Sequence, residues 1–272
     1  MSGRAMWGIV PAAGSGTRMQ PLAFSKELLP VGTRLDDGAE RPRAVSEYLV
    51  ERLIAGGATK LCFIISPGKS DILAYYGDAV GDAPIYYAVQ PSAEGLCDAI
   101  FRAAPLLNGE PVAVGLPDTV WFPEDALTAL PDHALSFLLF PVEHPELFDA
   151  VVTNGRGEVA EIQVKRQDAS SNWIWGAFKM PASVFAQLHG LWLERGKRDQ
   201  YIGTLVNAWL ELGGRALGIR SGAAYVDVGT VNGYREAIRM LGGEPRRALF
   251  QPRRLGAGAG EGNAANERGD VD

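Results

Sequence analysis

The stretch Val10–Gly32, VPAAGSGTRMQPLAFSKELLPVG, decides how the rest of the chain is read. A short apolar run ending at Val10 reads as a strand, and it leaves through Ala12-Ala13-Gly14-Ser15-Gly16-Thr17-Arg18. Glycines let backbone N–H groups come close to an anion, and successive N–H groups form a nest for it. Arg18 adds a guanidinium that can fork onto phosphate oxygens, and Lys26 adds a second cation close by. The loop does not end in Gly-Lys-Ser/Thr, so it is not a P-loop, and it lacks the third glycine of a dinucleotide fingerprint. Taken alone it is as compatible with a tight turn as with a polyphosphate cradle.

Working outward, apolar runs and amphipathic stretches alternate. Strands are predicted at Trp7–Pro11, Lys60–Ser66, Ile85–Val89, Val112–Gly115 and Leu135–Val142. Helices are predicted between them at Ser46–Ala55, Ser70–Tyr76, Leu96–Leu107 and Pro123–Leu130. This alternation predicts an α/β chain with a mixed, mostly parallel sheet and helices on both faces. After Glu143 the pattern turns β-rich. Ala150–Thr153 and Val159–Lys165 flank the Asn154-Gly155 hairpin signal, and Trp173–Met180 follows. Helices at Ala182–Glu194 and Ile202–Leu212, strands at Ala216–Ile219 and Ala224–Val228, and a helix at Asn232–Leu241 complete the reading. One domain over 1–250 is expected, with a first part to about 143 and a second part over 144–250. The Leu255–Asp272 stretch has almost no large apolar residues, and the tail 251–272 is expected to be disordered.

Composition narrows the function classes. The net charge is −6 over 272 residues, which argues against a nucleic-acid binder with a broad basic face. No apolar run reaches membrane-spanning length, and no signal-peptide pattern opens the chain, so the cytoplasm is the expected compartment. Two cysteines, Cys62 and Cys97, sit in apolar runs and read as buried free thiols. His133, His144 and His189 show no ligand spacing.

In open α/β sheets ligands bind beyond the carboxyl ends of the strands. Asp118 and Asp227 each end an apolar run there. Each reads either as a cap or turn residue or as a ligand for Mg²⁺, which takes carboxylates together with substrate phosphates. Gln90 follows the third strand and offers an amide that matches a pyrimidine edge. Lys165 ends a strand and is placed to meet a phosphate. Trp173 and Trp175 flank Gly176, bordering either a ligand or the strand's own packing.

Together these residues resemble the sugar-1-phosphate nucleotidyltransferases, above all the glucose-1-phosphate thymidylyltransferases and next the UTP–glucose-1-phosphate uridylyltransferases. The Gly-x-Gly-Thr-Arg…Lys-x-Leu-Leu-Pro spacing, Val89-Gln90-Pro91-Ser92…Gly95-Leu96, Asp118, Ser171-Asn172-Trp173…Gly176 and Asp227-Val228-Gly229-Thr230 carry the likeness, from about Gly8 to Leu241. The resemblance implies a Rossmann-like domain that transfers a nucleotidyl group from an NTP, dTTP by preference, to a sugar 1-phosphate. By the same likeness Ala13, Gly14, Ser15, Gly16, Thr17, Arg18, Lys26, Gln90 and Gly95 hold the nucleotide. Lys165, Trp175, Gly176 and Tyr201 hold the sugar phosphate. Asp118 and Asp227 hold Mg²⁺, and Arg18, Lys26, Asp118, Lys165 and Asp227 form the catalytic set. Self-association stays open.

Three departures stand out. Pro117 replaces a glycine, Val164-Lys165-Arg166 stands for the family's Glu-Lys-Pro, and Tyr201 stands where an acid is usual. Without those acids the sugar pocket is expected to be more apolar and unmodified glucose a poor fit. A non-catalytic sensor on the same fold and an enzyme with a non-sugar acceptor are the rivals. A metal-dependent glycosyltransferase would need Asp-x-Asp, and Asp118 is followed by Thr119 and Val120.

Overall fold

The computed structural model describes residues 5–242 and, as backbone, a short strand at 246–247. The tail expected to be disordered lies outside the described residues. Four parallel strands make the centre: β1 (Trp7–Pro11), β4 (Lys60–Ile65), β6 (Ala83–Val89) and β7 (Val112–Gly115), paired in the order β7-β1-β4-β6. The near-continuous apolar sequences of β1, β4 and β7 follow from being covered on both faces, whereas β6 leaves Tyr86 and Val89 exposed. Ile9 belongs to one core and its neighbour Val10 to the other, as the alternation of a strand requires.

Helix α1 (Val45–Ala55) and α2 (Ser70–Tyr76) cover one face with Leu49, Leu53, Ile72 and Tyr76. The other is covered by α3 (Leu96–Phe101), α4 (Ala182–Glu194) and α5 (Ile202–Glu211), through Ile100, Phe185, Leu188 and Val206. The second half adds its strands to the same sheet. β12 (Trp173–Met180) runs antiparallel to β7 on one side and to β9 (Leu135–Pro141) on the other. β13 (Ala216–Ile219) pairs parallel with β9, and the hairpin of β10 (Asp149–Thr153) and β11 (Val159–Val164) joins β12 at Ala150. The expected mixed, mostly parallel α/β sheet is therefore present, with ten strands among the described residues.

Several local expectations are corrected. Pro30–Asp36 and Ala39–Ala44 form a hairpin, β2 and β3, around Asp37-Gly38, both at positive φ. Asp-Gly is a strong signal for that turn, but the flanking strands are too polar to read as such. The expected helix at Pro123–Leu130 is only a 3₁₀ turn at Ala126–Ala129. The helix expected over Leu96–Leu107 ends at Phe101, and a 3₁₀ turn containing Pro105 follows. Thr119–Phe122 is a strand, β8, that pairs antiparallel with β14 (Ala224–Asp227). That last pairing builds the site, because it sets Asp227 directly opposite Thr119. Helix α6 (Val231–Leu241) follows, with Thr230 capping its N-terminus through Gly233 N–H.

Candidate active site

Asp118 stands in the turn between β7 and β8, and Asp227 ends β14. Val228 N–H donates to the Asp118 carbonyl at 2.8 Å, which locks the two strand ends together. Their side chains converge. A single point beside Gly229, where a Cβ would stand, lies 2.8 Å from Asp227 Oδ1, 3.0 Å from Arg18 Nη2 and 3.1 Å from Asp118 Oδ2. Gly229 itself donates its N–H to Asp227 Oδ1 at 2.7 Å. Any side chain here would fill the space among the charges.

Both cations of the opening loop are in place. Lys26 Nζ donates to Asp118 Oδ2 at 2.5 Å, with both side chains mostly buried. Arg18 Nη2 lies 3.3 Å from Asp227 Oδ2 and remains largely exposed. Burial works to raise the Asp118 carboxyl, but the Lys26 ammonium outweighs it and holds the group below its ordinary value. Burial, and then the charge of Asp118, push Asp227 the other way, above its ordinary value. Burial opposes the charge on Lys26, yet Asp118 keeps its pKa raised. These two carboxylates are hard oxygen donors suited to Mg²⁺. No cluster of three or more acidic, histidine or cysteine ligands forms among the described residues.

The glycine loop is held by residues that the sequence reading did not single out. Lys69 is buried and donates to Ala12 O at 2.7 Å and to both Glu27 oxygens at 2.8 and 2.7 Å. It thus ties the end of β1 to the segment carrying Lys26. Asp71 accepts from Ser25 N–H and Oγ at 2.6 and 2.7 Å. Gly16 has φ +64°, and a Cβ there would lie 2.8 Å from Lys26 Cδ, so the glycine lets the lysine pass. A polar cavity of about 390 Å³ opens beside the loop, lined in part by Ser15, Gln20, Lys26, Ser66 and Asp71.

Gln90 and Gly95 lie together after β6. Gln90 Nε2 donates to Gly95 O at 3.0 Å and to Asp98 Oδ2 at 2.8 Å. A carboxylate only accepts, so this contact fixes which way the amide points. Gly95 has φ +96° and faces the backbone of Gln200, whose carbonyl accepts from Leu96 and Cys97 N–H at 2.7 and 3.3 Å. The residue after Gln200 is Tyr201, and Lys165 Nζ sits 5.0 Å from the centre of its ring. Lys165 ends β11 with φ +46°, its N–H donating to Phe148 O at 3.0 Å.

Trp175 is buried against Phe137 and Phe178. Of the two readings of the Trp173–Gly176 segment, ligand border or strand packing, the surroundings of Gly176 favour packing. Rings of Phe140 and Tyr225 fill the space where its Cβ would be, at 2.6 and 2.8 Å, so it serves packing at a β-bulge. The premise that no acid lies beside Lys165 is also corrected. Asp149 is there, and burial holds its carboxyl above the ordinary value, with the charge of Lys165 offsetting only part of that rise. Tyr225 links the two groups of charges. Burial raises its hydroxyl well above an ordinary tyrosine, and Asp227, Asp118 and Asp149 all add to that.

A family model described as nucleotidyl transferase matches residues 7–242, which takes in every one of these positions. The chain belongs to the nucleotidyl transferase family. Among similar proteins, a glucose-1-phosphate thymidylyltransferase of Neisseria meningitidis is 26% identical over 249 residues, covering 87% of this chain and 82% of the relative. A UTP–glucose-1-phosphate uridylyltransferase of Haloferax volcanii is 26% identical over 251 residues, covering 89% and 99%. Among solved structures, a glucose-1-phosphate thymidylyltransferase from Bacillus anthracis superposes with a TM-score of 0.72 at 24% identity, covering 87% of this chain and 95% of that one. The UTP-bound enzyme of Acinetobacter baumannii gives 0.70 at 19% identity, covering 88% and 93%. At those identities the structural likeness speaks for the nucleotidyl transferase fold. No helix among the described residues is long and apolar enough to cross a membrane, and both cysteines are buried and free.

Proposed function

We propose that this nucleotidyl transferase joins an NTP to a sugar 1-phosphate, releasing pyrophosphate and an NDP-sugar. The observation that carries the reading is the convergence of Asp118, Asp227, Arg18 and Lys26 at strand ends beside the Gly14–Gly16 loop. An oxygen of the sugar phosphate would attack the α-phosphorus, and the bond to the β-phosphate oxygen would break. Such a reaction asks for positioning and charge neutralisation, not for a serine, cysteine or histidine nucleophile.

Lys165 would hold the attacking phosphate, with its position fixed by Tyr201. Lys26 and Arg18, beside the glycine loop, would meet the triphosphate and the leaving pyrophosphate. Asp118 and Asp227 would hold Mg²⁺, which when bound would neutralise charge on the α-phosphate. Gln90 offers its Oε1 as an acceptor, because Asp98 and Gly95 already take its N–H groups. Thymine and uracil present a ring N–H to such an acceptor, as guanine does and adenine and cytosine do not, and the likeness to thymidylyltransferases puts dTTP first, then UTP. The cytoplasm is the compartment we assign, consistent with the free thiols.

The test is pyrophosphate release by the purified chain with each NTP against a panel of hexose 1-phosphates. Release with dTTP or UTP that needs both Mg²⁺ and the sugar phosphate supports the reading. Silence across the panel from a folded protein would favour a non-catalytic sensor.

A further inference from the structure

Asp149 and Val164 are directly paired across the β10–β11 ladder, so their side chains share one face of the sheet. The next pair on that face, Val151 and Ile162, is buried in the core. Asp149 and Val164 therefore close that core at the end where Lys165 begins. Val164 is turned toward α5: a Cβ on Gly203 would lie only 2.7 Å from Val164 Cγ2. Asp149 is the polar member of the pair. Its Oδ1 is buried and has no hydrogen-bond partner among the described residues. The indole Nε1 of Trp175 is likewise buried without a well-formed partner, and it and the Lys165 backbone N–H both lie close enough to Asp149 to favour its carboxylate. Nearby Arg166 is spoken for by Glu161 and Asp168.

A buried acceptor and a buried donor side by side, held short of well-formed hydrogen bonds, is costly in a protein interior. Together they suit a group that accepts from an N–H and donates to a carboxylate at the same time, as a sugar hydroxyl does. Lys165 brings a cation to the same place.

We propose that Asp149, with Trp175 Nε1, is the sugar-reading pair of this enzyme, and that a hydroxyl of the sugar whose phosphate Lys165 holds docks between them. The inference rests on the nucleotidyl transfer reading above and makes it more specific. The acid missing at Val164 is supplied from the neighbouring strand at the paired position. The substrate is then a hexose 1-phosphate with a free hydroxyl at that place, not a sugar suited to a wholly apolar pocket.

The experiment compares kcat/KM for glucose 1-phosphate, galactose 1-phosphate and singly deoxygenated glucose 1-phosphates. It uses wild type, Asp149→Ala, Asp149→Asn and Trp175→Phe, with dTTP and UTP. For wild type, removing one particular hydroxyl should cost about ten- to hundredfold in kcat/KM. Asp149→Ala should lose that discrimination and raise KM for the sugar phosphate, while KM for the NTP stays within about twofold. Asp149→Asn keeps an acceptor oxygen and should retain part of the discrimination, and it serves in place of the alanine variant if that one does not fold. Wild-type turnover with the same deoxy-sugar ranking in Asp149→Ala, or in Asp149→Asn and Trp175→Phe together, would overturn the proposal alone. Absence of wild-type turnover with every sugar phosphate would overturn the nucleotidyl transfer reading beneath it.

Discussion

Lys26 Nζ reaches Asp118 Oδ2 at 2.5 Å across 92 residues of sequence, and both side chains are mostly buried. The lysine leaves the glycine loop and the aspartate leaves β7, so this one contact joins the two strand ends that make the site. Taking away one partner strands the other charge in a desolvated place. Lys26→Met should lower stability by about 3 kcal/mol, because an unpaired buried carboxylate remains. Adding Asp118→Asn should recover much of that loss, since no bare charge is left. Thermal melting of the two single variants and the double checks this. Equal, additive losses would mean that the pair is not coupled. Turnover should be lost in all three.

Asp227 should behave differently from Asp118. Its cation, Arg18, is largely exposed, and the charge of Asp118 works against its ionisation. Asp227→Asn keeps the oxygen that accepts from Gly229 N–H and relieves that repulsion. We expect Tm to stay level or rise slightly, with the stability change within about 0.5 kcal/mol. Turnover should nevertheless fall by several orders of magnitude, since removing a carboxylate from the proposed Mg²⁺ site would cost several kcal/mol of transition-state stabilisation. A chelator should abolish wild-type turnover, and added Mg²⁺ should restore it. Near-native turnover of Asp227→Asn would make that residue a simple turn acceptor.

The glycines separate by surroundings. A Cβ at Gly14 would meet nothing within 4 Å, and Gly14 has no positive φ, so Gly14→Ala should leave the fold intact. Gly95 has φ +96°, and its Cβ would lie 2.7 Å from Gln200 backbone atoms. Gly95→Ala should cost more than about 1 kcal/mol from left-handed strain alone, with the clash added. It should also weaken both substrates, because moving Gln200 moves Tyr201 and with it the ring beneath Lys165. Separate KM values for NTP and sugar phosphate would show this. A change confined to the NTP would disconnect the two halves.

What was legible in the sequence follows from burial. Central parallel strands must be apolar along their whole length, so a charged residue at the end of such a run stands out. Asp118, Asp227 and the glycine loop were visible for that reason. Lys69 was not, since a lysine at a helix start reads as solvated, and only its contacts with Ala12 O and Glu27 show it as a brace. The Pro30–Ala44 hairpin hid behind exposed, polar strands, although Asp37-Gly38 marked its turn. Asp149 was invisible for another reason. Its partner across the ladder is set by register, and register is a property of two strands at once. Gly176 resembled a ligand-facing glycine, and only the rings of Phe140 and Tyr225 reveal its packing role.

The paired positions also predict what happens when the missing acid is put back. Val164→Glu would place a second carboxylate directly opposite Asp149, on the same face. Like charges at such a pair are destabilising, by up to about 1 kcal/mol. The longer side chain must also leave the tight contact that Val164 makes beside Gly203. Val164→Glu should therefore lower Tm and lower kcat/KM for glucose 1-phosphate, although it restores the usual residue. The double variant Val164→Glu with Asp149→Ala carries a single acid again and should regain part of both. The loss has a definite pH sense. Two facing carboxylates raise each other's pKa in the folded state, so the folded form holds protons more tightly than the unfolded one. That destabilisation is present at neutral pH and fades as pH falls through the raised folded value. The Tm gap between Val164→Glu and wild type should narrow as the buffer is taken from neutral to about pH 5. If Val164→Glu is as stable as wild type at neutral pH and a better enzyme, Asp149 does not share its face of the pocket.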